Sequence, residues 1–67
     1  VTDLVDLRKE LEQIAERLSD LAMERLRMGI EGDLSEPEAR AQEKALNRAR
    51  ASVEKARSIL EGLESSL

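Results

Sequence analysis

Leu4, Leu7, Leu11, Ile14, Leu18 and Leu21 recur at alternating spacings of three and four residues. That period belongs to an amphipathic helix with one apolar stripe, and it holds over about three heptads. Ala15, Ala22 and Leu26 lie beside the stripe and widen it to well over ~100° of the helix surface. Met28 continues it, while Arg25 interrupts it. Thr2 or Asp3 is placed to cap the helix start, and Asp3 and Asp6 suit its positive end. Gly29 predicts a helix end near Met28, with Gly32 as the rival terminator one turn later. An end at Met28 puts Arg25 and Arg27 in the last turn, where cations favour the negative helix end.

Ser35-Glu36-Pro37-Glu38 reads as a capping box, Ser35 accepting from an early backbone N–H and Glu38 reaching back to the Ser35 N–H. Pro37 falls in the first turn, where its missing donor is harmless. Ala39, Gln42, Leu46, Ala49, Val53, Ala56, Leu60, Leu63 and Leu67 then repeat the three–four spacing. Helix 1 is expected over about 3–28, the turn over 29–35 and helix 2 over about 36–65. Lengths of about 40 and 45 Å, joined by a short turn, predict an all-α antiparallel hairpin occupying 1–67 as one domain. The first stripe is rich in leucine and the middle of the second in Ala49, Val53 and Ala56. Small against large permits close approach, with Leu18 expected near Leu46 and Ala49, and Leu7 near Ala56 and Leu60.

Two helices cannot enclose a core. Both stripes are broader than a two-stranded seam requires, so one side stays open after the hairpin closes. Dimerisation into a four-helix bundle is the expected solution, with a larger protein partner as the other way to cover the same face. The core or interface set is accordingly Leu4, Leu7, Leu11, Ile14, Leu18, Leu21, Leu46, Ala49, Val53, Ala56, Leu60 and Leu63.

Composition narrows the function. The 67 residues include no His, Cys, Phe, Tyr or Trp, so thiolate chemistry, Cys/His zinc sites, a histidine general base and aromatic base-stacking platforms are all excluded within the chain. No serine has a convincing base, no cofactor is expected, and a stand-alone enzyme is disfavoured. No apolar stretch approaches the length of a membrane span. A cytoplasmic setting is expected. The net charge of −4 argues weakly against nucleic acid. It is unevenly spread: Glu31, Asp33, Glu36 and Glu38 crowd the turn without a base. Those acids have uses at the start of helix 2 and lack the 12-residue pattern of a calcium loop.

Four bases, Arg40, Lys44, Arg48 and Lys55, form an outward stripe on helix 2 that could meet an acidic partner or phosphates. Arg50 and Arg57 flank the apolar seam, each with a glutamate four residues on, Glu54 and Glu61, and could match charge across an oligomer interface. Arg25, in the seam and roughly opposite Gln42, is an end-layer residue whose stem covers Leu21 and Leu46 while its head reaches Glu38 or solvent, a register-setting polar layer, or a buried anion contact. The leading function is a self-associating helical interaction module or accessory subunit. The alternatives are a nucleic-acid-associated regulator using the basic stripe, and an anion-binding helical dimer using Arg8 and Arg25.

Leu7-Arg8-Lys9-Glu10-Leu11, followed by Ile14, Leu18, Leu21 and Glu24-Arg25-Leu26, resembles the first helix of the all-helical chorismate mutases. The resemblance implies an intertwined dimer binding a dicarboxylate between helices, with Arg8 and Arg25 at the positions of that family's two arginines. It ends at the acidic turn, where the family places a lysine, and leaves no length for a third helix. Gly32-Asp33-Leu34-Ser35 with Glu38-Ala39 is similar to the turn of the exodeoxyribonuclease VII small subunit, a hairpin that implies a larger catalytic partner. There the chain departs in its longer first helix and in Arg48 and Arg50.

Overall fold

The structure, a computed structural model, describes residues 2–67, with side chains from Asp3 onward. It is an all-α antiparallel hairpin of α1 (Thr2–Glu31) and α2 (Glu36–Ser66). α1 already contains Thr2 and Asp3, so neither precedes the helix as a cap, and the position before it lies outside the described residues.

The end of α1 corrects the expectation at Met28. Gly32 takes the left-handed conformation at φ 88°, and the Asp33 N–H donates to the Met28 carbonyl at 2.9 Å. This is the six-to-one bond of a Schellman end, and only glycine adopts that backbone without a Cβ penalty. The helix therefore runs through Gly29, and its last turn holds no base, since Arg25 and Arg27 lie further back. Ser35 caps α2 as expected, its hydroxyl accepting from the Glu38 N–H at 3.3 Å, with Pro37 in the first turn. Only half of the box forms: among the described residues, the Glu38 carboxylate does not return to the Ser35 N–H.

Gly29 serves packing rather than termination. A Cβ built on it would lie 2.6 Å from the Ala39 Cβ, nearer than two carbon atoms can stand. That contact sets the register, and at the other end Arg8, level with Leu60, reaches one turn along α2 to Glu64. Stepping along both helices from Gly29 and Ala39 places Ala22 level with Leu46, Leu18 with Arg50, Ala15 with Val53, and Leu11 with Arg57. The line of contact on α1 thus runs through residues 4, 8, 11, 15, 18, 22, 25 and 29, rotated from the leucine stripe toward the small residues. Ala15, Ala22 and Gly29 recur every seven residues, and their size lets the helix axes approach closely.

The rotation leaves almost nothing enclosed. Among the described residues, the buried apolar ones are Ala15 at 8%, Ala22 at 3% and Ala39 at 2% exposure, and no large side chain is fully buried. The molecule measures 50 × 15 × 10 Å with a radius of gyration of 15.2 Å, against about 11 Å for a compact chain of this length. It is a single layer of helices, whereas a core ordinarily lies between two.

Candidate protein–protein interface

The antiparallel pairing divides the hairpin into two unlike faces. On one, charged side chains from both helices interlock. Arg8 donates from Nε to Glu64 at 2.6 Å and from Nη1 to Glu12 at 2.9 Å. Arg57 lies 3.8 Å from Glu12 and 2.7 Å from Glu61. The Glu64 hydrogen bond, with smaller help from the charges of Glu64 and Glu12, raises the Arg8 pKa above the ordinary arginine value against an opposing effect of burial. This network staples the open end of the hairpin and continues into a shallow groove where Glu12, Glu16 and Glu54 surround Arg50 and Arg57. Arg50 Nε is buried without an acceptor, so the expected Arg50–Glu54 pair is not made, while the Arg57–Glu61 pair is.

The other face is apolar and open. Leu7 is 50%, Ile14 43%, Leu21 38% and Leu63 47% exposed. Leu4, Leu11, Leu18, Leu46, Val53, Ala56 and Leu60 are half-buried at the hairpin contact, and Ala49 is exposed. Residues seven apart on a helix share a face, so Leu7, Ile14 and Leu21 form one continuous ridge along α1. Ile59 on α2 and Leu67, which caps its end, are also exposed and extend the apolar area. Thus the expected seam divides: Leu4, Leu11 and Leu18 touch the second helix, and Leu7, Ile14 and Leu21 stand clear of it. A separate apolar patch of Met23, Leu26 and Ile30 lies beside Gly29 and Ala39 at the turn end.

The candidate cations have different fates. Arg8 is saturated by carboxylates. Arg25 sits on the contact line between Ala22 and Gly29, its Nη1 at 3.6 Å from Met28 Sδ and 4.0 Å from Glu24. The expected reach to Glu38 does not form, and Gln42 is exposed and unbonded to it. Arg8 and Arg25 are 17 positions apart on one helix, roughly 25 Å, too far to grip one small dicarboxylate within a single chain. Arg40 pairs with Glu36 at 2.9 Å in full solvent. Lys44, Arg48 and Lys55 are exposed, with no ion pair among the described residues. No group of three or more acidic residues that could hold a metal occurs among the described residues, and no helix is long and apolar enough to cross a membrane.

Two partners escaped the sequence reading, Glu64 for Arg8 and Glu12 for Arg57. The signal that locates them is the seven-residue recurrence of Ala15, Ala22 and Gly29, which turns positions 8, 12, 57 and 64 toward the facing helix. Compared with protein-family models, with curated proteins and with solved structures, the chain matches none of them, so neither helical family named above gains support.

Proposed function

We propose that this chain is a non-catalytic helical interaction module that covers its apolar face by associating with a second copy of itself. The observation that carries the reading is the uncovered ridge of Leu7, Ile14 and Leu21 beside Leu63 and Ala49, in a chain whose enclosed apolar residues are three alanines. Area supports it. The accessible surface is 5031 Å², where a compact monomer of 7.5 kDa exposes about 4,200 Å². The excess, roughly 800 Å², equals what one partner contributes to a standard-sized protein interface, about 800 Å². Two hairpins joined by these faces form a four-helix bundle with two layers around one core.

A nucleic-acid role gains less support, because the stripe that would carry it offers three unpaired bases among the described residues, Lys44, Arg48 and Lys55, on a chain of net charge −4. Thermal melts followed by circular dichroism over a hundredfold range of concentration test the proposal. Folding linked to association raises Tm with concentration. A concentration-independent, cooperative melt argues for a self-sufficient monomer and against it.

A further inference from the structure

The two helices border the open face with side chains of opposite size and opposite charge. α1 presents the large Leu7, Ile14 and Leu21, edged by Glu10 and Glu24. Over the half of its length nearer the turn, α2 presents the small Ala45, Ala49, Ser52 and Ala56, with the larger Ile59 and Leu63 following toward the open end, and the outward stripe of Lys44, Arg48 and Lys55 lies beyond them, all three exposed. We infer that in the dimer each α1 packs against α2 of the other copy, about a two-fold axis running along the bundle, so that both turns lie at the same end; this rests on the self-association proposed above.

Such an axis leaves heights unchanged, so the hairpin's own register applies between copies. From Gly29 level with Ala39, Leu21 comes level with position 47, between Ala45 and Ala49 of the second copy. Ile14 comes level with position 54, between Ser52 and Ala56, whereas Leu7 comes level with position 61, between the larger Ile59 and Leu63, so the small-against-large fit holds for two of the three layers. Large side chains enter gaps left by small ones, which is how interlocked layers fill without voids. Charge follows: Glu24 comes level with Lys44 and Asp20 with Arg48, and Glu10 falls within one turn of Lys55. Arg17 is the one base on the acidic edge, and it comes level with Ala51 rather than with another cation.

The alternative axis, across the bundle, sets α1 against α1 and α2 against α2 with the turns at opposite ends. It opposes leucine to leucine and alanine to alanine, giving crowding on one side and gaps on the other. It also opposes carboxylates to carboxylates and bases to bases, and like charges across an interface are costly. The acidic turns that the inferred arrangement brings to one end lie one over the other, on the order of 10 Å apart, a little beyond the Debye length of about 8 Å at physiological salt, and their residual repulsion is a cost of this arrangement.

The chain has no cysteine, so single cysteines accept spin labels cleanly. Asp33→Cys labels the exposed turn and Ser66→Cys the open end, and the pulsed electron–electron distance between copies is measured beside the mass in solution. A dimeric mass with distances of roughly 20–35 Å at both positions, neighbouring helices plus label tethers, is the expected result. A dimeric mass with both distances near the 50 Å length of the hairpin overturns the pairing and leaves self-association standing. A monomeric mass without dipolar coupling overturns self-association as well. Charge reversal supplies a second readout at exposed positions. Lys44→Glu with Arg48→Glu is expected to weaken dimerisation about tenfold, and adding Asp20→Lys with Glu24→Lys to restore most of it. Unchanged or tighter dimerisation of the first variant contradicts the inference.

Discussion

Gly29 and Ala39 meet in close contact across the hairpin: a Cβ on Gly29 would stand 2.6 Å from the Ala39 Cβ. Both positions are fixed to the backbone, so no rotamer can relieve the overlap. Gly29→Ala gains about 1 kcal/mol of helix propensity but forces the helices apart, and overpacking costs ~1–3 kcal/mol. A net loss of about 1 kcal/mol is expected in urea denaturation at matched protomer concentration. Combining Gly29→Ala with Ala39→Gly moves the methyl to the other helix and should recover stability beyond the sum of the single changes.

Gly32 is constrained by its own backbone. At φ 88° a side chain is strained, and Gly32→Ala is expected to lose about 1–2 kcal/mol. Gly32→Asn should lose less, because asparagine tolerates the left-handed region. Equal losses for the two variants in chemical denaturation would contradict the Schellman end.

The Arg8–Glu64 pair at 2.6 Å joins the open ends of the helices with both side chains partly shielded. Glu64→Gln is expected to lower stability slightly at low salt and by less at ~1 M salt. The sign of the pH effect follows from the raised Arg8 pKa. A group whose pKa rises on folding contributes in full below its unfolded value and loses that contribution only as pH climbs through the folded one. For an arginine that window lies in strong alkali, so the Arg8 contribution is flat across the neutral range. Stability profiles of the parent and an Arg8→Gln variant should therefore run parallel from pH 6 to 9.

Arg25 bonds only Met28 Sδ and a neighbouring glutamate, so nothing across the hairpin depends on its charge. Arg25→Leu is expected to leave stability unchanged or raise it. Leu18→Ala is expected to lose ~2–5 kcal/mol and to weaken association together with folding, because Leu18 touches α2 and also borders the open face. If the arginine variant is the less stable of the two, Arg25 is a buried, paired residue after all.

The two helices, their antiparallel pairing and the serine cap were legible because spacing, turn residues and capping chemistry are local. The first helix end was not: Gly29 and Gly32 carry the same local signal, and the contact with Ala39, made across the hairpin, decides between them. The seam was legible as a period but not as a direction. Leu7, Ile14 and Leu21 hold the larger apolar area, whereas Ala15, Ala22 and Gly29 allow the closer approach, and in an isolated pair of helices close approach prevails. The Arg8–Glu64 and Arg57–Glu12 pairs follow only once that rotation is known.

Leu21→Ala separates the hairpin from the bundle. In a lone hairpin Leu21 is 38% exposed, and truncating it should cost under about 1 kcal/mol. Seated in a second copy it should cost ~2 kcal/mol or more. Ile14→Glu places a charge on the same ridge and should dissociate the dimer, while Ser58→Glu, an exposed control on the outside of α2, should not.

Sedimentation equilibrium of the unmodified chain at micromolar concentration tests covering of the apolar face by a second copy most directly. A mass twice that of the 7.5 kDa chain, falling on dilution together with helicity, is the expected result. A single-chain mass that persists to high concentration, with a full and cooperative melt, would contradict it.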